Sequence, residues 1–374
     1  MLDLSRLLPG PYCTLLLADL GASVDKVEDP HAGDYLRHVP SGWPARAKGL
    51  SGKFVALNRD KRSVVLDLKQ EAGRETILRL VRRYDVLVES FRPGVMDRLG
   101  LGSSSLLAEN PRLVICAIAG YSKTGPYRQR AAHDLNTVGL SGVLRGGGDC
   151  VPTVPPYPLS DLAAGLNAAT AICAALYAAQ KTGRGRHLDV SMSESALGFS
   201  FPALADLGAA PDSETDVLSG GQACYRVYRT RDERFVTVAA LEPKFWQAFN
   251  DTIGRTSSAD DLSASPVEQQ RMYDEIQAVL ITKTRDEWAD IFSSVEGCCE
   301  PVLTPRELAE HPLSRDTFVE LGGAKWPATA LQHLSGRTTH TSPPTQGQQS
   351  AQILAEAGFT VDEVAALVAS RVTR

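Results

Sequence analysis

Apolar and polar positions change period repeatedly through the first half of the chain. From Pro11 to about Asp19 the chain, within PYCTLLLADL, has the dense apolar spacing of a short buried helix, and Gly21 stops it. SVDKVE then alternates as a strand ending at Glu28 and Asp29. The alternation continues with a strand at 63–68, a helix at 71–83 and strands at 86–89 and 111–119. Strands alternating with helices predict a mainly parallel sheet covered on both faces. Such a sheet gathers ligands at the carboxyl ends of its strands, which places the loops after Val88 and Ala119 there. The opening strand has only Leu2 to Leu4 to draw on, so some N-terminal residues are expected to be missing. The GxGxxG phosphate loop is absent, and no dinucleotide is assigned.

Residues 120–149 form a long glycine-rich connection containing GYSKTGPYRQRAAHD and SGVLRGGGD, followed by the proline-rich VPTVPPYPLSD. A connection of this length points to function or to disorder. Asp161 precedes LAAGLNAATAICAALYAAQKTG, an alanine-rich helix ending near Lys181 and Gly183 whose small side chains admit another element closely. The strand HLDVSM follows. Composition changes near Ala210, and CYRVYRT, DERFVTVAAL, KFWQAFNDTIG and MYDEIQAVLITKTRDEWADIFSSVE predict a smaller α+β domain to about residue 305. The chain closes with SAQILAEAG and TVDEVAALVASRV, the latter opened by a Thr360–Glu363 capping box.

The 374 residues, 43% of them hydrophobic and 22% charged, suffice for a large buried core and disfavour disorder, a coiled-coil rod or a disulfide scaffold. A net charge of -5 argues against a nucleic-acid partner but leaves room for a local basic pocket. Seven scattered cysteines suggest neither a disulfide framework nor a zinc site and fit a reduced, cytoplasmic protein. MLDLSRLLPGPY does not read as a signal peptide, and the apolar stretches read as too short or too interrupted to span a bilayer, so no membrane partner is expected.

His133 follows the glycine-rich loop, where an imidazole suits acid-base work and equally a loop cap or a packed position. Asp161 stands before an apolar helix as an N-cap, a place where backbone N–H groups also favour developing negative charge. Arg59, Lys61, Arg62, Arg92, Arg128 and Arg130 supply cations for a phosphate-bearing ligand or are solvated loop charges. Glu242 suits a carboxylate partner for a histidine, or a helix-start acid beside Pro243. Cys298 and Cys299 lack CxxC spacing and read as packing residues.

The segments LSRLLPGPYCTLLLADLGA, LNRDKRSVVLDLK, VLVESFRPGVMDRLGLG, NPRLVICAIAGYSKTGP, PLSDLAAG, TGRGRHLDVSM and EPVLTPRELAEHP resemble, in order, the family III CoA-transferase (CaiB/BaiF) superfamily, and most of all its α-methylacyl-CoA racemase branch. The resemblance implies an α/β fold: a Rossmann-like large domain, residues 1–205, a small α+β domain, 206–315, and a segment, 316–374, returning to the large domain. It implies an obligate interlocked homodimer, an acyl-CoA thioester substrate and no cofactor beyond the coenzyme A of that substrate, with no metal. Arg37, Arg59, Arg62, Arg92 and Tyr121 match coenzyme-contacting regions. His133 and Asp161, with Glu242 beside the histidine, match the catalytic positions. The leading expectation is a racemase that exchanges the α-proton of a 2-methylacyl-CoA between His133 and Asp161, its enolate held by N–H groups near Leu162. The alternative is a CoA-transferase forming an acyl-aspartyl intermediate at Asp161. Ala132, Ser219 and Gln222 depart from the family pattern.

Overall fold

The computed structural model describes residues 1–38, 50–144, 152–209, 218, 220–314, 317–337 and 339–374. Strands β1 (Leu2–Asp3), β2 (Asp25–Glu28), β3 (Arg62–Val65), β4 (Val86–Glu89), β5 (Val114–Ala119) and β6 (Arg186–Ser191) form one sheet in the order β3-β2-β1-β4-β5-β6. Every neighbouring pair is parallel. This is the doubly wound order in which the winding reverses between β1 and β4 and opens a crevice beyond their carboxyl ends.

Alternate residues of each strand point to opposite faces. Leu87 and Ile115 enter a core with Ile77, Leu80 and Leu106, while Val88, Val114 and Cys116 enter a second core with Leu16, Ala168 and Ile172. The second core joins the sheet to the helices Pro9–Asp19 and Leu159–Thr182. A side chain at Gly165 would bring its Cβ within 2.8 Å of Tyr12 and 2.9 Å of the Pro9 carbonyl oxygen, so glycine sets how closely the two helices approach.

The Leu159–Thr182 helix corrects one expectation, because by length and composition alone it is apolar enough to cross a membrane. Its buried residues pack in the second core, as those of an internal helix do. The helix also begins earlier than its apolar pattern suggested: Pro158 is the N-cap residue, and Asp161 lies inside the first turn.

The chain divides into two compact units, Met1–Ser200 with Ser314–Arg374, and Phe201–Leu313. In the first unit the closing helices Ser350–Glu356 and Val361–Ala369 return to the sheet. They bring Ile353, Leu354 and Leu367 to the first core, while the Gln349 N–H donates to the Ser63 carbonyl at 3.0 Å. The Thr360–Glu363 capping box is formed.

The second unit has an antiparallel sheet in the order β7 (Tyr225–Arg229), β8 (Phe235–Ala239) and β9 (Cys299–Pro301). Trp246, Phe249, Phe292 and Trp288 fill its own core, with the rings of Trp246 and Phe249 5.9 Å apart and those of Phe249 and Phe292 5.5 Å apart. The molecule is thus an α/β fold with a Rossmann-like parallel sheet and a smaller α+β unit.

Candidate active site

The turns leaving β1, β4 and β5 at their carboxyl ends line a cavity of about 360 Å³, at the crevice the strand order creates. Arg6 comes from the first turn, Ser90 and Arg92 from the second, and Gly120 and Tyr121 from the third. His133 and Asp161 complete the wall. At Gly120 a Cβ would fall 2.6 Å from that of Ala132, so a glycine here lets the segment before His133 lie against the strand end.

His133 is exposed and is the N-cap residue of the helix Asp134–Leu140, its N–H donating to Asn136 Oδ1 at 3.0 Å. Asp134 caps the neighbouring helix from outside: its Oδ1 accepts the Ser160 N–H at 2.7 Å, the Ser160 hydroxyl at 2.7 Å and the Asp161 N–H at 3.2 Å. The expected N-cap role of Asp161 therefore belongs to a carboxylate distant in sequence. The Leu162 N–H donates to the Pro158 carbonyl at 3.1 Å. With these first-turn donors engaged, the helix start does not offer the enolate cradle expected near Leu162.

Asp161 itself is partly buried, and among the described residues no group donates a hydrogen bond to its carboxyl oxygens. Burial first, and the nearby Asp134 charge second, push its pKa up to about 7. A carboxyl poised in this way is a weakly solvated nucleophile when ionised.

The residues expected to contact coenzyme A separate into two groups. Arg92 and Tyr121 line the cavity. Arg37 is buried on Glu28, with contacts of 2.8 and 2.6 Å, and stacks over Phe54. Arg59 is fully buried and forked onto Asp19 at 2.6 and 2.7 Å, with Asp60 at 2.8 Å. Arg62 holds Asp25 at 2.6 and 2.8 Å and Glu356 at 2.9 Å. These three side chains already neutralise carboxylates and do not line the cavity. Lys61 is likewise internal, 3.2 Å from Asp3, and burial brings its pKa down to about 8.

Arg6, Arg92, Arg128 and Arg130 line the cavity without an ion pair to a carboxylate among the described residues, although the Arg6 charge acts through space on Asp29. Sequence reasoning passed over Arg6; its place directly after the first strand was the available signal. Arg6 lies 5.7 Å from the Phe91 ring and Arg130 4.3 Å from the Tyr127 ring. Glu242 belongs to the second unit, where it is the exposed N-cap residue of the helix Pro243–Ile253. Of the departures from pattern, Gln222 accepts at its carbonyl from the Tyr225 N–H at 3.1 Å, and Ser219 lies outside the described residues.

The profile of CoA-transferase family III matches residues 1–350. The chain belongs to CoA-transferase family III. This CoA-transferase family III member is 34% identical to human α-methylacyl-CoA racemase, over 97% of this chain and 94% of the racemase. It is 33% identical to the acetyl-CoA:oxalate CoA-transferase of Acetobacter aceti, over 95% of this chain and 94% of that enzyme. A crystal structure of a mutant of Rv3272 from Mycobacterium tuberculosis superposes with a TM-score of 0.80 at 29% identity, covering 95% of this chain and 96% of that one. Rv3272 is described as a probable fatty acyl-CoA transferase.

These similarities correct the leading expectation of a racemase. A transferase lies within one percentage point of the racemase in identity, and the family profile and the solved fold carry transferase descriptions. The physical basis for the enolate cradle is also missing, because Asp134 occupies the helix N–H groups. The protein is an enzyme of the CaiB/BaiF superfamily, whose substrate class is the acyl-CoA thioester. Among the described residues no group of three or more His, Cys, Asp or Glu side chains is arranged to hold a metal ion.

Proposed function

We propose that this protein is a family III CoA-transferase that moves coenzyme A between carboxylic acids through Asp161. The observation that carries the reading is the Asp161 carboxyl, free of hydrogen-bond donors among the described residues, in a cavity rimmed by arginines that form no ion pair with a carboxylate among those residues. An ionised Asp161 attacks the thioester carbonyl, forming an acyl-aspartyl anhydride and releasing the CoA thiolate. The thiolate returns to the aspartyl carbonyl, giving an aspartyl-CoA thioester and the first free acid. An acceptor carboxylate then repeats these two steps in reverse order, leaving a new acyl-CoA and a restored Asp161. Charge and protons balance without a base, so His133 and Glu242 are assigned no covalent step.

Arg6, Arg92, Arg128 and Arg130 suit the anionic groups that must enter, the coenzyme phosphates and the acid carboxylate, because guanidinium forks pair with both. Tyr121 forms part of the same wall. Incubation with an acyl-CoA followed by hydroxylamine is expected to give a hydroxamate at Asp161, detected by peptide mass spectrometry. Asp161→Asn should lose transfer by about 10⁴-fold or more. Exchange of CoA between acids with no adduct at Asp161 would sink the assignment.

We also propose that the chain works as a homodimer. Leu166, Tyr177 and Phe199 are exposed in the first unit at 47%, 64% and 53%, large apolar side chains suited to burial against a second copy. Light scattering on the eluting protein should report twice the chain mass at micromolar concentration. A monomer under those conditions contradicts the homodimer.

A further inference from the structure

A second cavity, of about 450 Å³, lies beside the first and shares Phe91, Arg92, Ala119 and Arg128 with it. Its floor is the sheet. Glu89 of β4 pairs in register with Ala117 of β5, which pairs with Asp189 of β6. Register neighbours in a parallel sheet face the same way, so Glu89 and Asp189, whose strands lie roughly 10 Å apart, flank one small alanine and direct their side chains to the same side. Met96, Leu101 and Leu106 supply apolar wall. The chamber therefore has guanidinium groups on the side shared with Asp161's cavity, an aliphatic middle and hydrogen-bonding carboxyls at its base.

Glu89 is 7% exposed, and among the described residues its carboxyl has one hydrogen bond, from the Phe91 N–H at 2.7 Å. No cation is paired with it among the described residues. Asp189 accepts the Lys123 N–H at 3.0 Å and the Ser122 hydroxyl at 3.4 Å. Asp97, Lys123 and His187 also border the space. A buried carboxyl with open hydrogen-bonding capacity beside an apolar wall is an incomplete site.

We propose that this chamber holds the acceptor acid, an aliphatic carboxylic acid with a hydroxyl at its far end, its carboxylate at Arg92 and Arg128 and its hydroxyl at Glu89 and Asp189. The arrangement rests on the transferase reading and adds the acceptor's class to it. With its carboxylate at the shared wall, the acid presents its nucleophilic oxygens to the cavity that contains Asp161. The far end favours a hydroxyl over a second carboxylate, since a hydroxyl both donates and accepts, while a carboxylate would meet Asp189 and Asp97 against the Lys123 ammonium, whose Nζ lies 3.3 Å from His187 Nδ1. Burial above all raises the pKa of Glu89 to about 7, so near neutrality both its forms are present and a hydroxyl can pair with either.

The test uses the full chain with acetyl-CoA as donor and hexanoate, 6-hydroxyhexanoate and adipate as acceptors. The hydroxy acid is expected to exceed the other two by about tenfold in kcat/KM, the discrimination worth about 1.4 kcal/mol. Glu89→Leu should erase that preference. Ala117→Leu, which fills the chamber, should lower acceptor use at least tenfold, and by more than it lowers acetyl-enzyme formation. Arg128→Gln, on an exposed loop, should raise KM for every acid. Saturation-transfer NMR of 6-hydroxyhexanoate with the same proteins reads the site without turnover. If wild-type protein forms no acyl-enzyme, the transferase reading fails, and loss of the NMR signal in Ala117→Leu would still support a hydroxy-acid site. Equal use and equal binding of the three acids, or acceptor binding unchanged in both Glu89→Leu and Arg128→Gln, would overturn the inference.

Discussion

Asp161 has opposite consequences for stability and for reactivity. Its pKa, raised to about 7 by burial and by Asp134, means that the folded chain retains a proton which the unfolded chain has lost above pH 4. The stabilising contribution is fully present below the unfolded pKa of 3.8 and is lost as pH rises to about 7. Between pH 5 and 8 the loss is roughly 1–2.5 kcal/mol, with partial solvent access favouring the low end of that range. Urea unfolding of wild type and Asp161→Asn at the two pH values should show a loss larger in the wild type by this amount, since the raised pKa of Glu89 contributes a pH dependence common to both. Transfer follows the opposite course: the rate of acyl-enzyme formation should rise about tenfold per pH unit below 7 and level off above it, as the nucleophile ionises. A flat profile from pH 5.5 to 8 would contradict the assignment of Asp161 as that nucleophile.

At the scale of the element, the long helix Leu159–Thr182 takes its N-terminal cap from Asp134, on a separate short helix. Its apolar run and its Gly183 stop were legible, while its start was not. Capping here is a contact between residues more than twenty positions apart, and local spacing carries no trace of it. Asp134→Ala should destabilise the protein by about 1–2 kcal/mol through the lost cap. The same change removes the like charge beside Asp161, so the rise of the transfer rate should move to lower pH. A variant that loses stability with no movement of the profile would confine Asp134 to capping. The strands were easier to read: Val86–Glu89 matches its pattern to the residue, because its first three residues are the continuous apolar run of a parallel strand buried on both faces.

Across the whole molecule, ion pairs join segments far apart in the chain. Arg59 ties the start of the fold to its end: it forks onto Asp19, which accepts the Thr329 hydroxyl at 2.7 Å, and it touches Asp60, which lies 2.7 Å from His340. Arg59→Ala would strand the buried Asp19 carboxylate and is expected to cost about 3–5 kcal/mol, measured by denaturant unfolding. A cost near zero would mean that water replaces the guanidinium there. Such pairings explain why loop arginines that look alike in sequence differ in their use. Arg37, Arg59 and Arg62 each meet a carboxylate, whereas Arg92 sits at the cavity without one among the described residues.

The sequence by itself determined the alternation of strands and helices, the parallel sheet, the smaller α+β unit and the family, because burial periodicity and ordered motifs are written along the chain. Resemblance also drew attention to His133, Asp161, Arg92 and Tyr121, which line one cavity. Only the tertiary structure decided that Asp134 caps the helix of Asp161, that three arginines are committed to internal carboxylates, and that Arg6 joins the cavity rim. Each of these depends on which charges and donors come within about 3 Å of one another, and at that range partnership is set by the packing of distant segments.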